Sequence, residues 1–574
     1  MSQHDLIIRG GTLIDGTGAP ARAADVAIDG GLITEVGDSV GSARREIDAR
    51  GLIVTPGFVD MHTHYDAQVS WDAMMTPSSY HGCTTVIMGN CGIGFAPVKP
   101  NRHDWLIGLM EGVEDIPGAA MHEGIRWGWE SFEEYLNVVE ASPHIIDFGA
   151  QVPHGALRAY VMDERGANNE DATADDIAEM ARLTEAGLRA GALGFSTSRT
   201  MLHKSIEGVP MPGTFAAQDE VFGIGRALGR VGHGVFQLAG EHLTMAKEFP
   251  WMRKLAQEIG RPVVFNISQT DQEPTLWKTL LTQLDEAAAD NVPIYAQVAG
   301  RSIGIMMCWE GTAHPFAAHL DFLQLKMNLT PAEMCAALSQ PEHRAKILGG
   351  TALELGEFET FITTSYHKMY PMNDRMDYEP KQEDSVASIA QRTGRSPQEV
   401  AYDALCANDG HGFLYFPLFN YADNDLAALH ALHSHPSTRM GLSDGGAHCG
   451  AICDGGMPTF MLTHWTRDRD RGPKMALEHI IHRQTQGTAQ TYGLLDRGVV
   501  APGYRADLNV IDYANLGFGR PHMVYDLPAE GRRLMQRARG YVATVCSGQV
   551  ILERDEFTGA LPGKLIRGPQ QRRV

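Results

Sequence analysis

Between residues 58 and 444 short apolar runs recur between helix-like stretches. This alternation limits the folds open to the chain more than any other feature. Residues 58–59, 84–88, 145–149, 192–196, 234–238, 262–266, 293–297 and 440–444 each read as a strand. Residues 173–190 read as an amphipathic helix that opens on Thr-Ala-Asp-Asp and closes on Leu-Arg-Ala-Gly. Eight strands alternating with helices predict an α/β chain built as a TIM-type (β/α)8 barrel.

The two ends of the chain read differently. Residues 6–55 look all-β, with a hairpin signal at Asp29-Gly30-Gly31, and are too short to stand alone. Near the other end, residues 502–512 and a second hairpin around Ser547-Gly548 repeat the pattern. The expected organisation is a small β-sandwich built from residues 1–56 and 496–574, with a barrel of residues 57–495 inserted between them. Two stretches, 96–142 and 300–437, exceed ordinary connections and are expected to cover the barrel mouth as lids or substrate walls. Residues 331–346 within the second read as helical.

A formal net charge of -22 argues against nucleic acid as a partner. Eight scattered cysteines make no disulfide framework, the first residues lack a signal-peptide pattern, and no apolar run is long enough for a bilayer. The expectation is a cytoplasmic protein with a small-molecule partner and no membrane partner, leaving room for a homo-oligomer.

In a barrel, chemistry gathers at the C-terminal strand ends. The first strand leads into His62-Thr63-His64. In extended backbone alternate side chains share a face, so the two imidazoles would converge and could grip a transition metal. The second strand ends near Cys91 and the eighth near Asp444. Imidazole, thiolate and carboxylate all suit zinc. Taken singly, Cys91 reads equally as an apolar filler and Asp444 as a turn residue before Gly445-Gly446. Together with the histidines they make a metal set of His62, His64, Cys91 and Asp444. Zinc brings the pKa of water to about 7, and Asp444 would take that water's proton and return it to a leaving amine.

The residues 56–64, Pro-Gly-Phe-Val-Asp-Met-His-Thr-His, resemble the first-strand signature of the amidohydrolase superfamily. The run from Thr84 to Pro97 around Gly-Asn-Cys-Gly, together with Glu111-Gly112-Val113-Glu114-Asp115, is similar to the N-acyl-D-amino-acid deacylases, the D-aminoacylases. The stretches 152–158, 191–197 and 495–508 also resemble that family, so the likeness spans nearly the whole chain. It implies a distorted barrel with a small β-sandwich, one or two zinc ions, and hydrolysis of an N-acyl group from a D-amino acid. It also implies His62, His64 and Cys91 at the metal, with Asp444 as acid/base.

The chain departs from the family at two strand ends. Where the family places histidines on strands five and six, this sequence has Gln237 and Asn266 or Ile267, and an amide is a poor zinc ligand. The basic residue after the strand-six histidine is missing as well. Three outcomes follow: the four named groups hold one metal, a shifted group among His203, Glu241, His242, His367 and His448 completes a rebuilt site, or the metal is lost. The first is the expectation. For the substrate, Arg301 and Arg199 are candidates to pair with a carboxylate, each also readable as a structural arginine. The loop 200–215 is a candidate substrate loop. Trp105, Trp127, Trp129 and Trp309 are candidates for an acyl pocket, with core packing as the default. The expected activity is metal-dependent deacylation of N-acyl-D-amino acids. The alternatives are hydrolysis of another linear or cyclic amide, and a barrel scaffold without catalysis.

Overall fold

The computed structural model describes residues 3–573. Nine parallel strands follow one another in chain order in two sheets. Phe58–Asp60, Cys83–Met88 and Asp147–Ala150 form the first. Val152–Pro153, Gly194–Ser198, Val235–Ala239, Val263–Asn266, Ile294–Val298 and Thr438–Met440 form the second. A single residue, Gln151, separates the two sheets along the chain, and its N–H donates to Met88 O at 3.1 Å. At the opposite edges, a parallel bridge joins Thr63 to Gly445. The strand expected over 145–149 is Asp147–Ala150, and the short strand Val152–Pro153 after it adds a ninth to the eight expected. These strands are buried on both faces, as parallel strands flanked by helices must be.

The helix read over 173–190 spans Ala174–Ala190, and Thr173 forms a capping box with Asp176. The stretch 331–346 is two helices, Pro331–Leu338 and Pro341–Gly349, because Pro341 starts a new helix after Ser339-Gln340. The last parallel strand ends at Met440, four residues before its expected end. Leu442 and Asp444 have φ of 58° and 50°, a left-handed conformation that no strand accommodates. Asp444 therefore stands on a turn, tied to the first strand's exit by its N–H to His62 O at 3.2 Å and by His64 N–H to Gly445 O at 2.8 Å.

The chain ends meet in one nine-stranded sheet. It unites strands such as His4–Leu13 and Arg22–Asp29 with Leu508–Ile511, Tyr541–Cys546 and Gln549–Glu553. The expected hairpins are present, Arg22–Asp29 with Leu32–Gly37 and Tyr541–Cys546 with Gln549–Glu553. The late segment also reaches beyond this sheet. The hairpin of His522–Leu527 and Gly531–Met535 returns to the parallel strands' side, where Arg533 donates to Thr76 and Leu534 N–H to Cys449 O at 2.6 Å.

The two long insertions are folded. The first carries the helices His103–Glu114, Gly118–Gly124 and Phe132–Glu140. The second contains a three-stranded antiparallel sheet of Gly304–Met307, Leu414–Pro417 and Tyr370–Pro371, with its own apolar core around Trp309, Phe316, Phe322 and Leu405. That core takes Trp309, while Trp129 lies in the main core with Trp127 tilted against it at 5.1 Å, and Trp127 and Trp105 both pack on that core's edge. Among the described residues, no helix is long and apolar enough to cross a membrane.

Candidate active site

The segment leaving the first parallel strand brings His62 and His64 to one place. Their rings lie edge-on, centroids 5.3 Å apart. Cys91 joins them from the second strand's exit, where a positive φ of 56° turns the chain inward. One donor atom from each of His62, His64 and Cys91 lies within 4.8 Å of the others, and all three residues are buried. Asp444 completes the arc: its Oδ1 is 3.4 Å from His62 Nε2 and 3.7 Å from His64 Nε2.

Neighbours fix these groups. His62 Nδ1–H points at Gln297 Oε1, 2.6 Å away, which leaves Nε2 as a lone pair facing Cys91 Sγ at 3.3 Å. Cys91 N–H donates to Gln237 Oε1 at 2.8 Å. On the far side of His64, Glu114 Oε1 lies 3.2 Å from Nδ1. Glu114 ends the helix His103–Glu114, which a left-handed Asp115 terminates. Its other oxygen lies 3.6 Å from His448 Nε2. Glu114 has no role assigned from its sequence position alone; the signal is its place in the Glu-Gly-Val-Glu-Asp run.

The electrostatics favour a cation. Burial would raise the Asp444 carboxyl, but the hydrogen bond to His64 and the charges of His62 and His64 hold it well below the ordinary carboxylate range. Burial would lower His64, yet Glu114, Asp444 and Cys91 push it well above its usual value. Burial lowers His62 to about 4 and raises the Cys91 thiol to about 11. Two buried imidazoles and a buried thiol beside a half-buried carboxylate, with no lysine or arginine among them, fit a zinc-type ion: the ion would draw the thiol to thiolate and balance the carboxylate.

The cluster forms one wall of a cavity of about 190 Å3. Thr200, Leu202 and His203 of the loop 200–215 line it, as do His242 and His448. His367 does not, and Glu241 turns aside to accept from Thr200 Oγ1 and Met201 N–H, both at 3.1 Å. The amides at the fifth and sixth strand ends are occupied. Gln237 holds the Cys91 backbone, and Asn266 Oδ1 accepts from Gly240 N–H at 2.7 Å.

The two candidate arginines are corrected by the structure. Arg301 is fully buried, bonded to Asp454 and Cys453 O and stacked 3.8 Å over Tyr378, away from the cavity. Arg199 is bonded to Glu248 at 2.8 Å and Ala216 O at 2.6 Å. Each guanidinium already has its carboxylate, so neither is free for a substrate. None of the four candidate tryptophans lines the cavity.

Gln297 fixes the ring of His62 through its Oε1. Gln297→Leu removes the acceptor that orients His62, and is expected to weaken metal affinity about 10- to 100-fold. Chelator competition reads this directly, and unchanged affinity would show the amide to be passive.

Parallel strands with a His-x-His exit, a buried thiol and an opposed aspartate define the class. A model of the amidohydrolase family matches residues 45–552, and the chain belongs to that family. It is a hydrolase of carbon–nitrogen bonds other than peptide bonds. A D-aminoacylase of Alcaligenes xylosoxydans xylosoxydans is 27% identical, covering 98% of this chain and 97% of the relative. An N-acyl-D-aspartate deacylase of the same organism is 28% identical, covering 98% and 95%. A solved D-aminoacylase, described by a binuclear metal centre with one-metal activation and second-metal attenuation, is similar with a TM-score of 0.65. It is 26% identical, and the match covers 98% of this chain and all of that one.

Proposed function

We propose that this protein removes the N-acyl group from N-acyl-D-amino acids, using one zinc ion held by His62, His64 and Cys91, with Asp444 beside it. The observation that carries the reading is the convergence of the buried His62, His64 and Cys91 with the half-buried Asp444 at one end of the parallel strands. A bound ion of this kind would supply Lewis acidity toward the acyl carbonyl and an acidified water. Asp444, ionised at neutral pH, accepts the proton of the attacking water. The water oxygen bonds to the acyl carbon, the C–N bond breaks, and Asp444 returns the proton to the amine nitrogen. His62 and His64 stay oriented through Gln297 and Glu114.

The same reading takes the parallel strands as a closed, distorted TIM barrel, with Thr63–Gly445 as its seam. It takes residues 1–56 and 496–574 as a β-sandwich flanking a hydrolase domain of 57–495. A cytoplasmic location goes with this reading.

The test is amino-acid release from N-acetyl-D-amino acids and their L-enantiomers by zinc-loaded protein, alongside metal content. Release from the D series with one zinc per chain is the expected result; no release from any amide after zinc loading would overturn it. One observation favours a second reading. The residues lining the cavity include neither lysine nor arginine, so a substrate carboxylate would meet only histidines and the neutral donors Thr200 and Asn266. An uncharged amide avoids that cost. If N-acyl-D-amino-acid amides turn over at least tenfold faster than the free acids, the second reading replaces the first.

A further inference from the structure

The cavity at the metal set does not end on a polar wall. Leu202, His242, Phe358, Leu418 and Phe419 line both this cavity and a neighbouring one of about 130 Å3. The second continues past Leu243 and Phe361 to a surface basin that again includes Leu202 and Phe358, together with Met201. One side of this path is apolar, formed by Leu202, Leu243, Phe358, Phe361, Leu418 and Phe419, while Glu241, Thr270 and Asp271 line the second cavity's other side and Lys204, Glu357 and Glu359 rim the basin. Several of the apolar side chains are bare. Met201, Leu202, Leu243 and Phe358 are exposed, at 44%, 42%, 42% and 42%. Contiguous apolar surface beside a site commonly marks where a ligand lies. The loop 200–215 supplies one side of the trough and the folded insertion after residue 300 the other.

We infer that the acyl half of the substrate carries an extended apolar chain that lies in this trough, with its carbonyl at the His62–His64–Cys91 cluster. The inference rests on the amide-hydrolase reading, which places the carbonyl there. The amine half is the poorer occupant, because under that reading it carries a carboxylate. In the second cavity the apolar side would strip that carboxylate of water, and Glu241 and Asp271 opposite would repel it.

An acyl series on one D-amino acid, from acetyl through butyryl and hexanoyl to octanoyl, tests this with the zinc-loaded protein. Burying a methylene is worth about 0.8 kcal/mol, so kcat/KM is expected to rise about two- to fourfold per added carbon. Phe358→Glu places a charge in the trough and is expected to lower the octanoyl-to-acetyl ratio at least tenfold. A flat or falling series with acetyl turned over would overturn the chain-binding trough and leave the deacylase reading standing. Calorimetric titration with octanoate and butyrate reads the trough without turnover. Octanoate binding at least tenfold tighter supports it, and equal affinities overturn it. Failure of every acyl substrate would bring down the deacylase reading and, with it, the assignment of the trough to an acyl group.

Discussion

Asp444→Asn is expected to lower kcat by roughly 100- to 10,000-fold, the usual contribution of a placed general base. An amide has nearly the shape of the carboxylate but cannot accept the water proton or return it to the amine. The metal content should not change, because His62, His64 and Cys91 remain within 4.8 Å of one another. Paired metal analysis and kinetics on one preparation separate the two roles of Asp444. Loss of both rate and metal would make it chiefly a ligand, whereas full activity in the variant would remove it from the mechanism. The backbone adds a control. Asp444 has a φ of 50°, which asparagine adopts readily, so the substitution should not disturb the turn.

The second large effect lies away from the cavity. Asp147, on the third parallel strand, is buried between Arg497 at 2.8 Å and Arg505 at 2.6 Å. Arg497 also donates to Thr85 on the neighbouring strand and to Asp496, and Arg505 pairs with Asp507 at the start of the late β segment. This network pins the returning chain to the second and third parallel strands. Removing one member of a buried ion pair strands the others out of water and costs about 3–5 kcal/mol. Arg497→Met should sit near 3 kcal/mol of that range, because Arg505 still faces Asp147. An exposed pair such as Arg182–Glu179 is the contrast, and Arg182→Met should cost roughly 0.5 kcal/mol or less. Thermal unfolding of the two variants side by side checks the ranking. Equal midpoints would mean that the buried network does not hold the two parts together.

The α/β class and the donor groups that meet at the strand exits were legible in the sequence because they depend on short-range patterns. A His-x-His exit, a Gly-Asn-Cys-Gly turn and alternating apolar runs each follow from strand and turn geometry over a few residues. The helix at Ala174–Ala190 was readable for the same reason, its capping box and apolar period being local. What fixes the orientation of the metal set was not. Gln297 lies 235 residues from His62, and Gln237 lies 146 residues from Cys91. A glutamine offers no sign in sequence of which backbone or imidazole it will meet. Glu114 was visible only inside a motif, since the left-handed end of its helix decides where its carboxylate points.

The arginines mark the limit most clearly. At its strand exit Arg301 has the charge and position of a carboxylate clamp, and Arg199 does too. Each is spent on a partner carboxylate, Asp454 for Arg301 and Glu248 for Arg199. A buried guanidinium must be paired, and only the folded chain decides by whom. The sequence by itself determined the α/β alternation, the β character of both ends and the donor types that gather at the strand exits. Tertiary structure alone decided which donors share a cavity, which cations are already neutralised, and that one wall of the cavity runs out along apolar side chains. Those are contacts between segments far apart in the chain, and no local period encodes them.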